Sequence, residues 1–176
     1  MNATSAPTAY VTSLDEVFWG VMLIALTMAV HGFGVIVTLR AGGRLQERLA
    51  GRPTFLSGIS TLIIATWILV VVHLVEVMIW ASFLVTREAF LNFSTAFYYA
   101  LMQYTTVGSE FSLPDRLRLL GGMIAMAGLL TFAWSTSVLF MLAQSFQAQQ
   151  LAPRRHGPSS GATVTKTDAS RPPGAG

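Results

Sequence analysis

The chain has 176 residues, of which 53% are hydrophobic and only 11% charged. Soluble domains carry about 25% charged residues, so the composition points away from a soluble enzyme or binding module and towards a membrane protein. The formal charge of +3 does not indicate nucleic acid, because the arginines flank apolar blocks, where they report membrane orientation. Without cysteine there is neither a disulfide framework nor a thiolate metal site.

Residues 1–16 read as an extracytoplasmic tail. They hold no Lys or Arg, and Asp15 and Glu16 precede the first apolar block, which is not the basic start of a secretory signal. Ser13 or Asp15 is placed to cap the helix that follows. Residues 17–39 contain no Asp, Glu, Lys or Arg. As a helix they would cover about 34 Å, enough for a hydrocarbon core of about 30 Å. His31 is the one ionisable group there, and Gly32 and Gly34 beside it permit close helix approach. The plainer reading of His31 is a neutral histidine bonded to a neighbouring helix; a proton or ligand role is the alternative.

Residues 40–57 form a basic connection with Arg40, Arg44, Arg48 and Arg52 against Glu47, closed by Gly51 and Pro53. Residues 58–85 are a second span, interrupted by His73 and Glu76. These two stand three apart and share a helical face. An acid in mid-span is costly and a functional candidate by default; the alternative is that the pair bonds internally and locks the packing. Trp67 and Trp80 are expected near the two interfaces. After a polar link, Ser94 reads as the N-cap of a helix over 94–104, too short to span and therefore re-entrant. Residues 105–110 would follow as a loop. Residues 117–142 are the third span, with Gly121, Gly122 and Gly128 and the hydroxyls of Ser135, Thr136 and Ser137, which suit tight packing or a water-lined face. Residues 147–176 are polar and read as a disordered cytoplasmic tail.

Three spans put the two ends on opposite sides. The 40–57 connection and the tail hold eight of the eleven Lys and Arg residues. That side is expected to be cytoplasmic and the N-terminus outside, so the short helix dips in from outside. The expected fold class is an all-α membrane protein with three transmembrane helices plus a re-entrant pore helix and filter-like loop.

Thr105-Thr106-Val107-Gly108, at the end of an aromatic helix between two spans, resembles the start of the selectivity filter of the potassium channel superfamily. Residues 58–146 resemble that family's pore module, most closely that of small bacterial channels of the two-pore-domain or ion-channel type. The first span is an addition to it. The resemblance implies a tetrameric monovalent cation channel, not an enzyme, in the bacterial inner membrane. Potassium would be the permeant ion, with no cofactor, no resident metal and no partner beyond the bilayer and further copies of the chain. It implies that Thr105, Thr106, Val107, Gly108 and Ser109 supply coordinating oxygens, that Tyr98 and Tyr99 brace the filter, and that Gly128 is a hinge. The family's tyrosine, second glycine and aspartate are replaced by Ser109, Glu110 and Phe111. These replacements predict an altered outer half with weaker discrimination, and Glu110 would form an acidic ring at the outer mouth. A non-conducting sensor or partner subunit of the same fold is the alternative. A third reading, a divalent metal held by His31, His73 and Glu76, is the weakest, because no nucleophile or second carboxylate accompanies them. No Arg-repeat voltage sensor, calcium-binding loop or nucleotide-binding domain is legible, so the sequence leaves the gating stimulus open.

Overall fold

The computed structural model describes residues 13–49 and 55–151, and these are helical apart from short turns and one loop. Helix α1 is Leu14–Leu49, α2 is Phe55–Thr86, α3 is Phe93–Tyr104 and α4 is Arg118–Leu151, preceded by a single 3-10 turn at Asp115–Leu117. Stretches within three of them, Leu14–Leu45, Gly58–Thr86 and Asp115–Ala148, are long and apolar enough to cross a membrane, with mean hydropathies of 2.1, 2.5 and 1.7. The fold is that of an all-α membrane protein.

Local chemistry sets the helix ends. Ser13 Oγ accepts from the Glu16 amide at 3.1 Å and caps α1, satisfying one of its orphan donors. The Glu16 carboxylate reaches across the bundle and accepts from the Leu119 amide in the first turn of α4. An anion at that terminus also suits the helix dipole. At the far end α1 runs ten residues beyond the expected boundary, so most of the basic connection is helical. Arg40, Arg44 and Arg48 are good helix formers. Residues 50–54, with Arg52, and the tail from residue 152 lie outside the described residues; residues 55–57 of the expected connection begin α2, and residues 147–151 of the expected tail are the last turn of α4. Helix α2 ends where Glu88 adopts a left-handed conformation, φ 54°, with Ala89 N donating to Leu84 O at 2.9 Å, a common helix stop. The N-cap of α3 is Asn92 rather than Ser94, and its side chain makes no cap bond. Ala96 N donates to the Asn92 carbonyl instead.

Helix α3 is wedged between α2 and α4 in one half of the bundle. The main core comprises Leu23 of α1, Val77, Trp80, Ala81 and Leu84 of α2, Ala96, Tyr99, Ala100 and Tyr104 of α3, and Leu117, Leu120, Ile124 and Ala127 of α4. A second, smaller cluster of Val35, Leu69 and Val138 joins the three long helices where α3 is absent. Tyr104 lies level with Glu76 and Thr131, ten and thirteen residues from the neighbouring ends of α2 and α4, or about 15–20 Å along the axis. The short helix therefore descends about halfway along the bundle and the chain returns through 105–114. Trp80 is not at an interface: it is fully buried and donates to Thr27 Oγ1 at 3.1 Å. Trp67 is exposed.

Close helix approach rests on glycine at Gly34, where a Cβ would lie 2.4 Å from Val72 Cγ2. We expect Gly34→Ala to destabilise the protein by about 1–3 kcal/mol in thermal unfolding in detergent. Gly43→Ala, where a Cβ meets nothing within 4 Å, should be neutral or stabilising by up to about 1 kcal/mol.

Candidate functional site

The loop that ends α3 has a specific hydrogen-bond pattern. Thr105 N donates to Leu101 O at 3.0 Å, Thr106 N to Gln103 O at 2.9 Å, and Val107 N and Gly108 N to Met102 O at 3.0 and 3.1 Å. The four amides are thus consumed by the last carbonyls of α3. Among the described residues, no hydrogen bond reaches the carbonyls of Thr105 to Gly108. Thr106 has φ 62° and Gly108 φ 84°. Glycine adopts this region freely, but a β-branched residue there is an outlier that costs about 1–2 kcal/mol. Such strain concentrates at functional sites. Val107 is 69% exposed and Thr105 and Thr106 are exposed as well. Four unpartnered main-chain oxygens in an accessible turn at mid-depth are what a dehydrated cation requires.

The flanking residues pack as follows. Tyr98 packs edge-on against Phe111, with ring centres 6.1 Å apart. Tyr99 is buried against Phe90 at 5.1 Å, and a Cβ on Gly121 would come within 2.8 Å of its hydroxyl. Both rings help hold α3 and the returning chain. Burial pushes the Tyr99 phenol above its ordinary pKa, so it stays protonated. Ser109 Oγ accepts from Phe111 N at 3.1 Å, turning the chain outward. Glu110 is exposed at the edge of the loop. At Gly128 α4 is continuous, and a Cβ would fall 2.0 Å from the Tyr104 carbonyl oxygen, so the glycine makes room for the end of α3. Thr136 and Ser137 are exposed and bond back to Phe132 O at 2.8 Å and Ala133 O at 3.0 Å.

Directly behind the loop lies a buried polar cluster drawn from all four helices. His31 and Glu76 are completely buried. His31 Nδ1 is 3.0 Å from Glu76 Oε1, and His73 Nδ1 is 3.3 Å from Glu76 Oε2. Ser135 Oγ joins the far sides of both rings, 3.1 Å from His73 Nε2 and 3.3 Å from His31 Nε2. The Tyr104 hydroxyl donates to Glu76 Oε2, and Thr131 Oγ1 is 2.5 Å from the same hydroxyl. Burial, chiefly, and the adjacent Glu76 hold the phenol above its ordinary pKa, so Tyr104 remains a donor. Trp134 and Phe132 close the cluster, their rings 5.4 Å from His31 and 4.6 Å from His73. One nitrogen from each histidine and one Glu76 oxygen lie within 4.8 Å of one another, a spacing that a metal ion tolerates. Yet every link is at hydrogen-bond distance and no buried side-chain polar atom among the described residues lacks a partner. The side chains form a closed hydrogen-bonded ring.

The sequence placed His31, His73 and Glu76 in the apolar spans and joined all three only in its weakest reading, as metal ligands. It missed Tyr104 and Thr131 as members. The available signal was the four-residue spacing of Thr131 and Ser135, which puts both on one face of α4. Glu76→Ala should destabilise the protein by about 3–5 kcal/mol in thermal unfolding, because it strands buried partners. Asp15→Ala, which breaks an exposed 2.6 Å pair with Arg87, should cost at most about 1 kcal/mol.

No curated protein and no solved structure matches the chain. Residues 59–145, running from the second turn of α2 through α3 and the loop into α4, match the family model described as ion channel. This segment, which contains the unpartnered carbonyls and most of the cluster behind them, is the part of the chain that is similar to the ion-channel family.

Proposed function

We propose that the protein is a monovalent cation channel of potassium-channel type, built from four copies around a central axis. The observation that carries this reading is the orientation of the 105–108 backbone, with its amides bonded inward to α3 and its carbonyls left for a ligand. One such loop cannot enclose an ion, which is why the reading requires an oligomer. Thr106, Val107 and Gly108 carbonyls replace the water of K⁺ or a similar ion, and the Thr105 and Ser109 oxygens flank them. Glu110, exposed at the loop's edge, forms the outer acidic ring. By charge bias the N-terminus faces outward and the C-terminus the cytoplasm of a bacterial inner membrane. The Ser109-Glu110-Phe111 exit favours weaker potassium selectivity than the full filter motif.

The second reading is a non-conducting sensor or partner subunit. It is favoured by the same turn: a left-handed residue after the last helical turn, with its amides bonded back, is also a complete helix cap that needs no ion.

Two substitutions and a flux assay separate these readings. Gly108→Ala should destabilise by about 1–2 kcal/mol, since a Cβ there meets open space but not an allowed φ, and should abolish ⁸⁶Rb⁺ uptake into proteoliposomes. Thr106→Gly relieves the strained φ and should leave thermal stability unchanged or higher, yet it should also remove selective flux. Glu110→Gln should lower conductance at low salt and have little effect at high salt, where exposed charge is screened. Wild-type protein that passes neither Rb⁺ nor Na⁺ would instead establish the non-conducting reading.

A further inference from the structure

The cluster behind the loop can be counted proton by proton. Five links need a proton of their own: His31–Glu76, His31–Ser135, Ser135–His73, His73–Glu76 and Tyr104–Glu76; a sixth close pair, His73 Nδ1 and the Tyr104 hydroxyl at 3.0 Å, shares the His73 Nδ1 proton with the His73–Glu76 link. With Glu76 ionised and both imidazoles neutral, the two histidines, Ser135 and Tyr104 supply four. The Tyr104 and Glu76 oxygens are the closest pair in the cluster, so the phenolic proton is committed there. His73 Nδ1, 3.0 Å from the Tyr104 oxygen and 3.3 Å from Glu76 Oε2, then needs its own proton. Both Nε2 atoms are left competing for the single Ser135 hydroxyl proton. One additional proton closes the ring. It resides on His31, His73 or Glu76, and moving it around the ring only exchanges these forms.

Charge leads to the same number independently. No other ionisable side chain faces the cluster from any packed element. Helix α1 has none but His31 between residues 17 and 39, α2 has only His73 and Glu76, α3 contributes Tyr104, and α4 contributes only hydroxyls and aromatics at this level. A lone carboxylate in so dry a place is strongly unfavourable, and the added proton makes the cluster neutral. His73 is the way in, because its side chain is 13% exposed whereas those of His31 and Glu76 are 0%. Tyr104 is the way out. Its hydroxyl is held by Glu76 and Thr131, its carbonyl packs against Gly128, and its successor Thr105 begins the ion-coordinating loop.

We propose that His31, His73, Glu76 and Ser135 form a binding site for one exchangeable proton per chain, whose occupancy Tyr104 transmits to the 105–108 loop. With the proton bound, the ring is closed and Tyr104 is fixed. When it leaves, the cluster is negative and one imidazole loses its link to Ser135, while the Tyr104 hydroxyl, still donating to Glu76, faces a full carboxylate instead of a neutral ring. The transmission half rests on the channel reading above; the proton site does not.

The test uses full-length protein in nanodiscs with ¹⁵N-labelled histidine and His156→Gln, leaving His31 and His73 as the only imidazoles. Both should titrate together at one shared midpoint, taking up one proton in total per chain. Ser135→Ala should split this into two separate transitions. Rb⁺ flux should fall several-fold as pH rises through the shared midpoint. Tyr104→Phe should leave the imidazole titration in place while flattening the flux profile, and Thr131→Val should weaken the same coupling if the phenylalanine variant does not assemble. Independent titrations of the two histidines, unmoved by Ser135→Ala, would overturn the proton site. So would a stoichiometric metal retained by the purified wild type and lost in Glu76→Gln. Flux that keeps its pH dependence in both Tyr104→Phe and Thr131→Val would overturn the transmission. An absence of flux at every pH would overturn the channel reading, and with it the transmission, while the imidazole titration still decides the proton site.

Discussion

Glu76 is the constraint around which the bundle is arranged. A carboxylate at mid-span is tolerated only when its oxygens are bonded and its charge is balanced. His31 takes one oxygen, and His73 and Tyr104 share the other. These groups come from three different helices, so satisfying one side chain fixes the rotation and depth of α1, α2 and α3 relative to one another. Apolar packing alone would not do this as sharply, since lipid tails are nearly as good a neighbour for leucine as another leucine. The depth of α3 follows. Tyr104 must reach Glu76, and Gly128 leaves room for the backbone that carries it.

That depth is what gives the turn after α3 its meaning. At the surface, a left-handed threonine in a run of four free carbonyls would be an odd helix cap and nothing more. Halfway down a membrane protein, unbonded carbonyls are costly unless water or a ligand meets them. Choosing Thr106 where glycine would sit without strain adds to that cost. A helix end can be made more cheaply in two ways, and the chain uses neither. The polar cluster supplies the rigidity needed to hold such a turn.

The helices were legible because long apolar blocks with charged borders leave few alternatives in a chain of this composition. The re-entrant helix was legible because twelve residues cannot span and the flanking segments can. Boundaries drifted where charge was equated with loop: Arg40 to Leu49 extends α1, since a basic helix can continue beyond the hydrocarbon and place its cations in water. Trp80 was misplaced because tryptophan favours interfaces on average, while this one satisfies its indole N–H on Thr27 inside the core. The filter motif was legible as a string of residue types, whereas the supporting roles of Tyr98, Tyr99 and Gly128 depend on which neighbours they meet. The cluster was only half legible. His73 and Glu76 share a helix and a spacing, but nothing in one sequence says that His31, forty-five positions from Glu76, closes the same ring, or that the last residue of the short helix joins it.

The first helix is therefore more than an appendage to the channel-like segment. The segment that matches the ion-channel family begins at residue 59, after α1 has ended, and it contains Glu76 without His31. Taken alone it would leave Oε1 of that carboxylate unbonded in the core and one edge of the Ser135 hydroxyl unused. It would also leave the first turn of α4 without Glu16, which bonds Leu119 N. Helix α1 supplies both, one near its N-terminal end and one halfway along the bundle, from residues fifteen apart on the same helix. The acid in α2 and the histidine in α1 are complementary in charge and in hydrogen bonding, so neither is well accommodated without the other. A pore module that carries a glutamate at this depth needs a partner helix beside it, and a helix offering a lone histidine at the matching depth needs such a module to bury against.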